Sequence, residues 1–353
     1  MAASDRALVL RTALGTGVAI PAHPLALAAD RTLDERHQRA LTRYYVDAGA
    51  GGIAVGVHTT QFAIRRPEHG LLRPVLELAA ESAREWLDGR ERTFALVAGA
   101  IGETTQAVAE AELAASLGYD LVLLSLGALQ DASDADLIAH CRAVADVLPV
   151  FGFYLQSAVG GRVLGYEFWR AFAEIERVWA IKIAPFNRYQ TLDVVRAVAD
   201  AGRDDIALYT GNDDAVVADL VTPIPVGTRG DSRRIVGGLL GQWAVWTHSA
   251  VALLERVHRA ADARTIDAAL LRDGAALTDA NAVIFDAAHG FAGCIPGIHE
   301  VLRRQGLLRG TWCLDPHETL SRGQAGQLDR VCREHPSLAD DAFVRERLDA
   351  WLG

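Results

Sequence analysis

The chain carries one lysine among its 35 basic residues. Wherever positive charge alone is wanted, arginine supplies it. The exception, Lys182, lies in the apolar run Val178-Trp179-Ala180-Ile181-Lys182-Ile183-Ala184-Pro185-Phe186, which reads as a buried strand. A buried lysine can shed its proton and attack a carbonyl, whereas arginine, with a pKa above ~12, cannot. The plain alternative is a chance survivor of an arginine-rich composition, salt-bridged at a strand end. Cysteine is scarce as well. Cys141, Cys294, Cys313 and Cys332 form no CxxC pair, which argues against a zinc site or a disulfide framework and predicts a reduced, cytoplasmic protein.

Clustered positive charge is missing too. The net charge of −10 argues against a nucleic-acid surface, and the arginines are interleaved with carboxylates, as in Arg84-Glu85. Met1 to Leu14 lacks a long apolar run and carries Asp5, Arg6 and Arg11, so no signal peptide is expected there. Ile235 to Leu254 has no formal charge, but Gln242, Thr247, His248, Ser249 and early glycines favour a buried strand and packed helix over a membrane span. The segment Pro21-Ala22-His23-Pro24-Leu25 lacks the glycine-rich phosphate turn of a dinucleotide fold.

What is present is a repeat of short β-rich runs and amphipathic helical stretches. Strands are predicted to begin near Val18, Ile53, Phe94, Leu121, Val150, Val178, Ile206 and Ile235. Helices are expected over Leu33–Ala48 behind a Thr32 cap, Thr104–Leu117, Asp134–Val147, Tyr166–Ile175 and Thr191–Ala201. Near-even spacing of these units predicts an α/β fold, a (β/α)8 TIM barrel over residues 1–260, with a C-terminal helical region over 261–353.

In such a barrel the reactive groups sit where the strands end, because the βα loops meet around one mouth. Lys182 lies on strand six and Tyr154 ends strand five. Thr59 and Thr60 follow strand two, and Gly211, Asn212, Asp213 and Asp214 follow strand seven. Burial lowers the pKa of a lysine, and a phenol can move the protons that imine formation requires. Asp213 and Asp214 read as caps of the next helix, and Trp243 and Trp246 as core. His58 and His23 read as polar contacts in the mouth. His23, His58, His69 and His248 show no tight ligand motif, so no metal and no cofactor are expected.

Tyr154 and Lys182 at a 28-residue spacing, the loop Val57-His58-Thr59-Thr60-Gln61-Phe62, Gly211-Asn212-Asp213-Asp214 and Ile295-Pro296-Gly297-Ile298-His299-Glu300 together resemble the dihydrodipicolinate synthase/N-acetylneuraminate lyase family of pyruvate-dependent class I aldolases. The resemblance implies Lys182 as Schiff-base former, Tyr154 as proton shuttle and Thr59 as its relay. It further implies Thr60 as binder of the keto-acid carboxylate, a substrate approach at Gly211, and Arg162 as the nearest candidate for a second carboxylate. His58 and Gln61 replace the glycines that flank the family's threonine pair, and Leu155-Gln156-Ser157 replaces its Asn and Pro. The expected activity is therefore a lyase or aldolase acting on pyruvate or another 2-oxo acid, with an aldehyde as partner, but not lysine biosynthesis. A hydro-lyase of a sugar-derived keto acid and a non-catalytic keto-acid binder are the alternatives. A homo-oligomer, dimer or tetramer, is also implied.

Overall fold

The computed structural model describes residues 3–228 and 230–353. Eight parallel strands form the barrel wall: β1 (Ala19–Pro21), β2 (Gly52–Val55), β3 (Ala95–Ala100), β4 (Leu121–Leu124), β5 (Val150–Leu155), β6 (Val178–Ala184), β7 (Ala207–Thr210) and, after an antiparallel pair β8 (Ile224–Val226) and β9 (Asp231–Arg233), β10 (Gly237–Leu240). Their order is β1-β10-β7-β6-β5-β4-β3-β2. A bridge between Ala22 and Ala54 closes the ring, flanked by Gly51 N–H to Ala19 O (2.9 Å) and His23 N–H to Ala54 O (2.8 Å). The eight expected strands are all there, each within two residues of its predicted start. The β8–β9 hairpin, too short for a periodicity signal, was not anticipated.

The helices are α1 (Ala3–Thr16), α2 (Glu35–Asp47), α3 (Leu72–Leu87), α4 (Thr104–Ser116), α5 (Asp134–Ala145), α6 (Tyr166–Phe172), α7 (Arg188–Asp200), α8 (Val216–Val221) and α9 (Thr247–Asp262), then α10 (Ala268–Ile284), α11 (Cys294–Arg304), α12 (Gln324–Glu334) and α13 (Asp341–Leu352). Local chemistry fixes several starts. The Asp34 carboxylate accepts from His37 N–H at α2, in place of the expected Thr32 cap. Ser133 does the same at α5, and Asn187 at α7.

Two apolar layers follow from strand alternation. Ala54, Val97, Leu123, Phe151, Phe153, Ala180 and Tyr209 face inward. Ile53, Val55, Leu96, Val122, Tyr154, Ile181 and Ile183 face the helices. Helix α1 closes the N-terminal end, where Leu10 and Leu14 join the inner layer. There the Tyr209 hydroxyl donates to Leu14 O (3.0 Å) and accepts from Val18 N–H (3.1 Å). Among the described residues, the opposite end is the open mouth of the barrel. The apolar segment 235–254 divides into β10, a short 3-10 turn and the start of α9, with Trp243 and Trp246 buried in the core as expected. Among the described residues no helix is long and apolar enough to cross a membrane.

Candidate active site

On β6, Ala180, Lys182 and Ala184 point inward, and the two alanines leave the long lysine side chain room within the barrel. Lys182 is 9 % exposed, and its Nζ lies 4.4 Å from the centroid of the Phe153 ring. The backbone at Gly211 passes flush against it. A Cβ there would lie 2.6 Å from Lys182 Cε and 2.7 Å from Ala184 Cβ, so only glycine fits. Around this amine a cavity of about 620 Å³, counting its open mouth, is lined by His58, Thr59, Asp213 and a largely apolar wall.

Burial pushes the Lys182 amine down to about 8, opposed by the negative charge of Asp213. Burial drives Asp213 the other way, up to about 7, with the lysine charge resisting. His58 is lowered to about 4, first by desolvation and then by the Lys182 charge, so its imidazole is neutral at physiological pH. The cavity therefore holds an amine, a carboxyl poised near neutrality and a neutral imidazole.

The structure redistributes the other predicted roles. Tyr154 is not in the cavity. Val150 pairs with Val178 but Phe151 pairs with Ala180, so Trp179 is an extra residue that shifts the register by one. The bulge turns Ala180, Lys182 and Ala184 inward, so Phe153, not Tyr154, stands opposite Lys182, while the regular alternation of β5 leaves Tyr154 on the outer face. There it packs on Trp169 (ring centroids 5.3 Å) and accepts a hydrogen bond from Leu164 N–H (3.2 Å). Thr59 lines the cavity, but its hydroxyl donates to Ala22 O (2.8 Å), so the Thr59–Tyr154 relay is not formed.

Thr60 is fully buried beneath the loop. Its hydroxyl donates to His23 O (2.7 Å) and accepts from Gly56 N–H (3.0 Å), which leaves it structural rather than facing a ligand. The loop residues that do face the cavity are Val57, His58 and Thr59. Arg162 also turns away, its guanidinium held by the carbonyls of Leu129 and Ala132. His23 is buried behind the loop, with Nε2 2.9 Å from Thr42 Oγ1. Gly211 is where it was expected, although its N–H is engaged by Ile183 O (2.8 Å).

Asp213, placed at the mouth by sequence but read there as a helix cap, is the main residue whose part in the site was not foreseen. It does not cap α8, which starts behind Ala215 without a side-chain cap. It accepts instead from Gln242 N–H (3.4 Å). Its place one residue beyond Asn212 in a βα loop was the only signal available. Further unforeseen wall residues, Phe285, Phe291 and Cys294, come from the α10–α11 connection and the first residue of α11. A grouping of Asp279, Glu334 and His335 has ligand-like spacing, but Arg330 already pairs with Asp279 (2.8 Å) and Glu334 (2.7 Å).

No family model matches the chain. Two curated relatives, both named 4-hydroxy-tetrahydrodipicolinate synthase, are 29% identical to it. The one from Macrococcus caseolyticus aligns over 58% of this chain and 64% of its own length, and the one from Cyanothece sp. over 46% and 55%. The matched part thus spans less than two thirds of either relative. Among solved structures, a prophage protein belonging to the dihydrodipicolinic acid synthase family from E. coli, in complex with pyruvate, superposes with a TM-score of 0.71 at 19% identity, covering 91% of this chain and 99% of that one. Chloride-inhibited dihydrodipicolinate synthase from Acinetobacter baumannii, complexed with pyruvate, gives 0.72 at 16% over the same shares. N-acetylneuraminate lyase from Fusobacterium nucleatum gives 0.69 at 16%, again over 91% and 99%. Sequence relatives and structural neighbours converge on one group, and the chain has the (β/α)8 fold of the dihydrodipicolinate synthase/N-acetylneuraminate lyase family, whose sequences it resembles.

Proposed function

We propose that this chain is a Schiff-base-forming lyase or aldolase acting on pyruvate or another 2-oxo acid, and not a true dihydrodipicolinate synthase. The observation that carries this reading is the lone lysine, held inside an apolar barrel mouth with its amine pKa near 8. At pH 7 roughly a tenth of such an amine is unprotonated, against well under a thousandth for a solvated lysine. The names of the curated relatives, and the pyruvate bound in two structural neighbours, point to the same chemistry.

Lys182 attacks the ketone to give a carbinolamine, and loss of water gives an iminium that draws electrons from the adjacent carbon. The protons for these steps fall to Asp213 and His58, because Phe153 has no hydroxyl and Tyr154 faces the helices. His58 supplies the polar lip on which the acid's carboxylate rests, while Thr59, its hydroxyl donating to Ala22 O, and Thr60 brace the loop. Gly211 lets the substrate and the lysine share one small space. With Arg162 committed elsewhere, no arginine lines the cavity among the described residues, and this argues against the synthase reaction. Retro-aldol cleavage is the first choice; dehydration of a sugar-derived keto acid would use the same enamine. A dimer or tetramer belongs to the same proposal and is read by sedimentation equilibrium.

The test is borohydride trapping with pyruvate, followed by intact mass. Wild type should gain one reduced pyruvate adduct, and Lys182→Arg none. No adduct on wild type, or one that survives Lys182→Arg, rejects imine chemistry. The Phe153 replacement favours one second reading, a barrel that binds keto acid without turnover. Ligand-induced thermal stabilisation with no reaction across aldehydes would support it.

A further inference from the structure

The walls above Lys182 show what kind of partner the site accepts. Four phenylalanines reach the cavity from separate parts of the chain: Phe153 from β5, Phe186 after β6, Phe285 at the end of α10 and Phe291 before α11. The Phe186 and Phe291 rings meet edge to face, with centroids 6.1 Å apart. Both residues have left-handed backbone, φ 53° and 69°, which is strained for any residue with a bulky side chain. The conformations are held by Phe186 N–H to Asn212 Oδ1 (2.9 Å) and Phe291 N–H to Asp286 O (3.0 Å). Backbone strain is thus sustained at two positions whose side chains form the cavity wall.

The titratable groups Lys182, Asp213 and His58 are gathered at one point, and Thr59 and Gln156 are the other polar side chains of the described lining. Asp213 and His58 each sense the Lys182 charge, and Gly211 abuts the lysine stem. Among the described lining residues Lys182 is the one lysine or arginine; Arg66 and His69 line a different cavity on the other side of His58. Beyond those side chains the described wall is apolar, so a second carboxylate, a phosphate or a chain of hydroxyls lying against it would lose water without finding partners, which is costly. A flat apolar group would instead stack against edges and faces of the rings.

We infer that the partner released from, or added to, the 2-oxo acid at this site is an aromatic aldehyde, an inference that rests on the Schiff-base reading above. In the cleavage direction the substrate is a 4-aryl-4-hydroxy-2-oxo acid joined to Lys182 as the iminium. A base takes the proton of the 4-hydroxyl, the C3–C4 electron pair moves into the iminium, and the aryl aldehyde leaves. The enamine is then protonated at C3, and water hydrolyses the imine to return pyruvate and the free amine. Atoms and charge balance with no added oxidant or cofactor.

The experiment uses the full chain with pyruvate and three aldehydes, benzaldehyde, glyceraldehyde and succinic semialdehyde, beside the borohydride trap. Benzaldehyde should have the highest kcat/KM, by at least about tenfold, the discrimination an apolar pocket commonly provides. In Phe291→Ala, and separately in Phe285→Ala, the benzaldehyde-to-glyceraldehyde ratio should fall. Two variants guard against a fold defect in one, and the wild-type panel decides even if both misfold. Trapping without benzaldehyde turnover, or equal or better kcat/KM with either polar aldehyde, overturns the aromatic assignment alone. Absence of trapping rejects the underlying Schiff-base reading instead.

Discussion

At pH 7 a lysine with a pKa of about 8 is still mostly ammonium, and here that ammonium sits over a phenyl face with little water. Its folded pKa lies below the ordinary value of 10.5, so the native state binds fewer protons than the unfolded chain between those pH values. The cost of burying the charge is therefore fully present below pH 8 and relieved as pH rises toward 10.5. Lys182→Met should be more stable than wild type at pH 7 by roughly 2 kcal/mol, with the advantage gone near pH 10.5. Urea melts across that range measure it, and a variant less stable than wild type at pH 7 would mean that pairing with Asp213 outweighs the burial cost. Tyr154→Phe gives the opposite contrast. It removes one hydrogen bond on the helix side, at about 1 kcal/mol, and pyruvate trapping should persist. Loss of trapping in that variant would place the phenol in the chemistry after all.

Strands β6 and β7 act together as one element that presents the amine. Lys182 can extend into the mouth only because its neighbours are small: Ala180 and Ala184 on its own strand, and Gly211 just past the end of β7. Gly211→Ala would force backbone or lysine to move by a few tenths of an ångström or more. It should cost about 1–3 kcal/mol and slow trapping by displacing Nζ. If Gly211→Ala trapped pyruvate at the wild-type rate, the close approach would not matter. The loop after β2 has a comparable internal brace. The Thr60 hydroxyl ties His23 to Gly56, while the Gln61 side chain accepts from Leu314 N–H (2.7 Å) and holds a left-handed turn (φ 65°) in place.

In the whole molecule, the C-terminal helices pack on the barrel and also contribute to its site. Helix α13 docks on α2: Trp351, fully buried, donates from Nε1 to Asp47 Oδ2 (2.7 Å), and the Tyr44 hydroxyl donates to Asp340 Oδ2 (2.8 Å). Burial raises the Asp340 pKa, and three donors hold it in place. Trp351→Ala should therefore destabilise the chain by about 3–5 kcal/mol in chemical denaturation. A loss of under about 1 kcal/mol would mean that α13 is dispensable to the barrel. Further upstream, Phe285, Phe291 and Cys294 bring the same region into the cavity wall.

The one-dimensional pattern was sufficient for the barrel, because hydrophobic period and even spacing are local properties that a parallel sheet cannot hide. It was also sufficient for Lys182, whose isolation among arginines needs no third dimension. Which aromatic faces that lysine was not legible, because the answer turns on one extra residue, Trp179, in the pairing of β5 with β6. A spacing of 28 names Tyr154; the observed register names Phe153. Asp213 and the phenylalanine wall were hidden for a related reason. Their meaning comes from separate segments, some about 100 residues from Lys182 in the chain, converging on one amine, and only tertiary structure sets that distance.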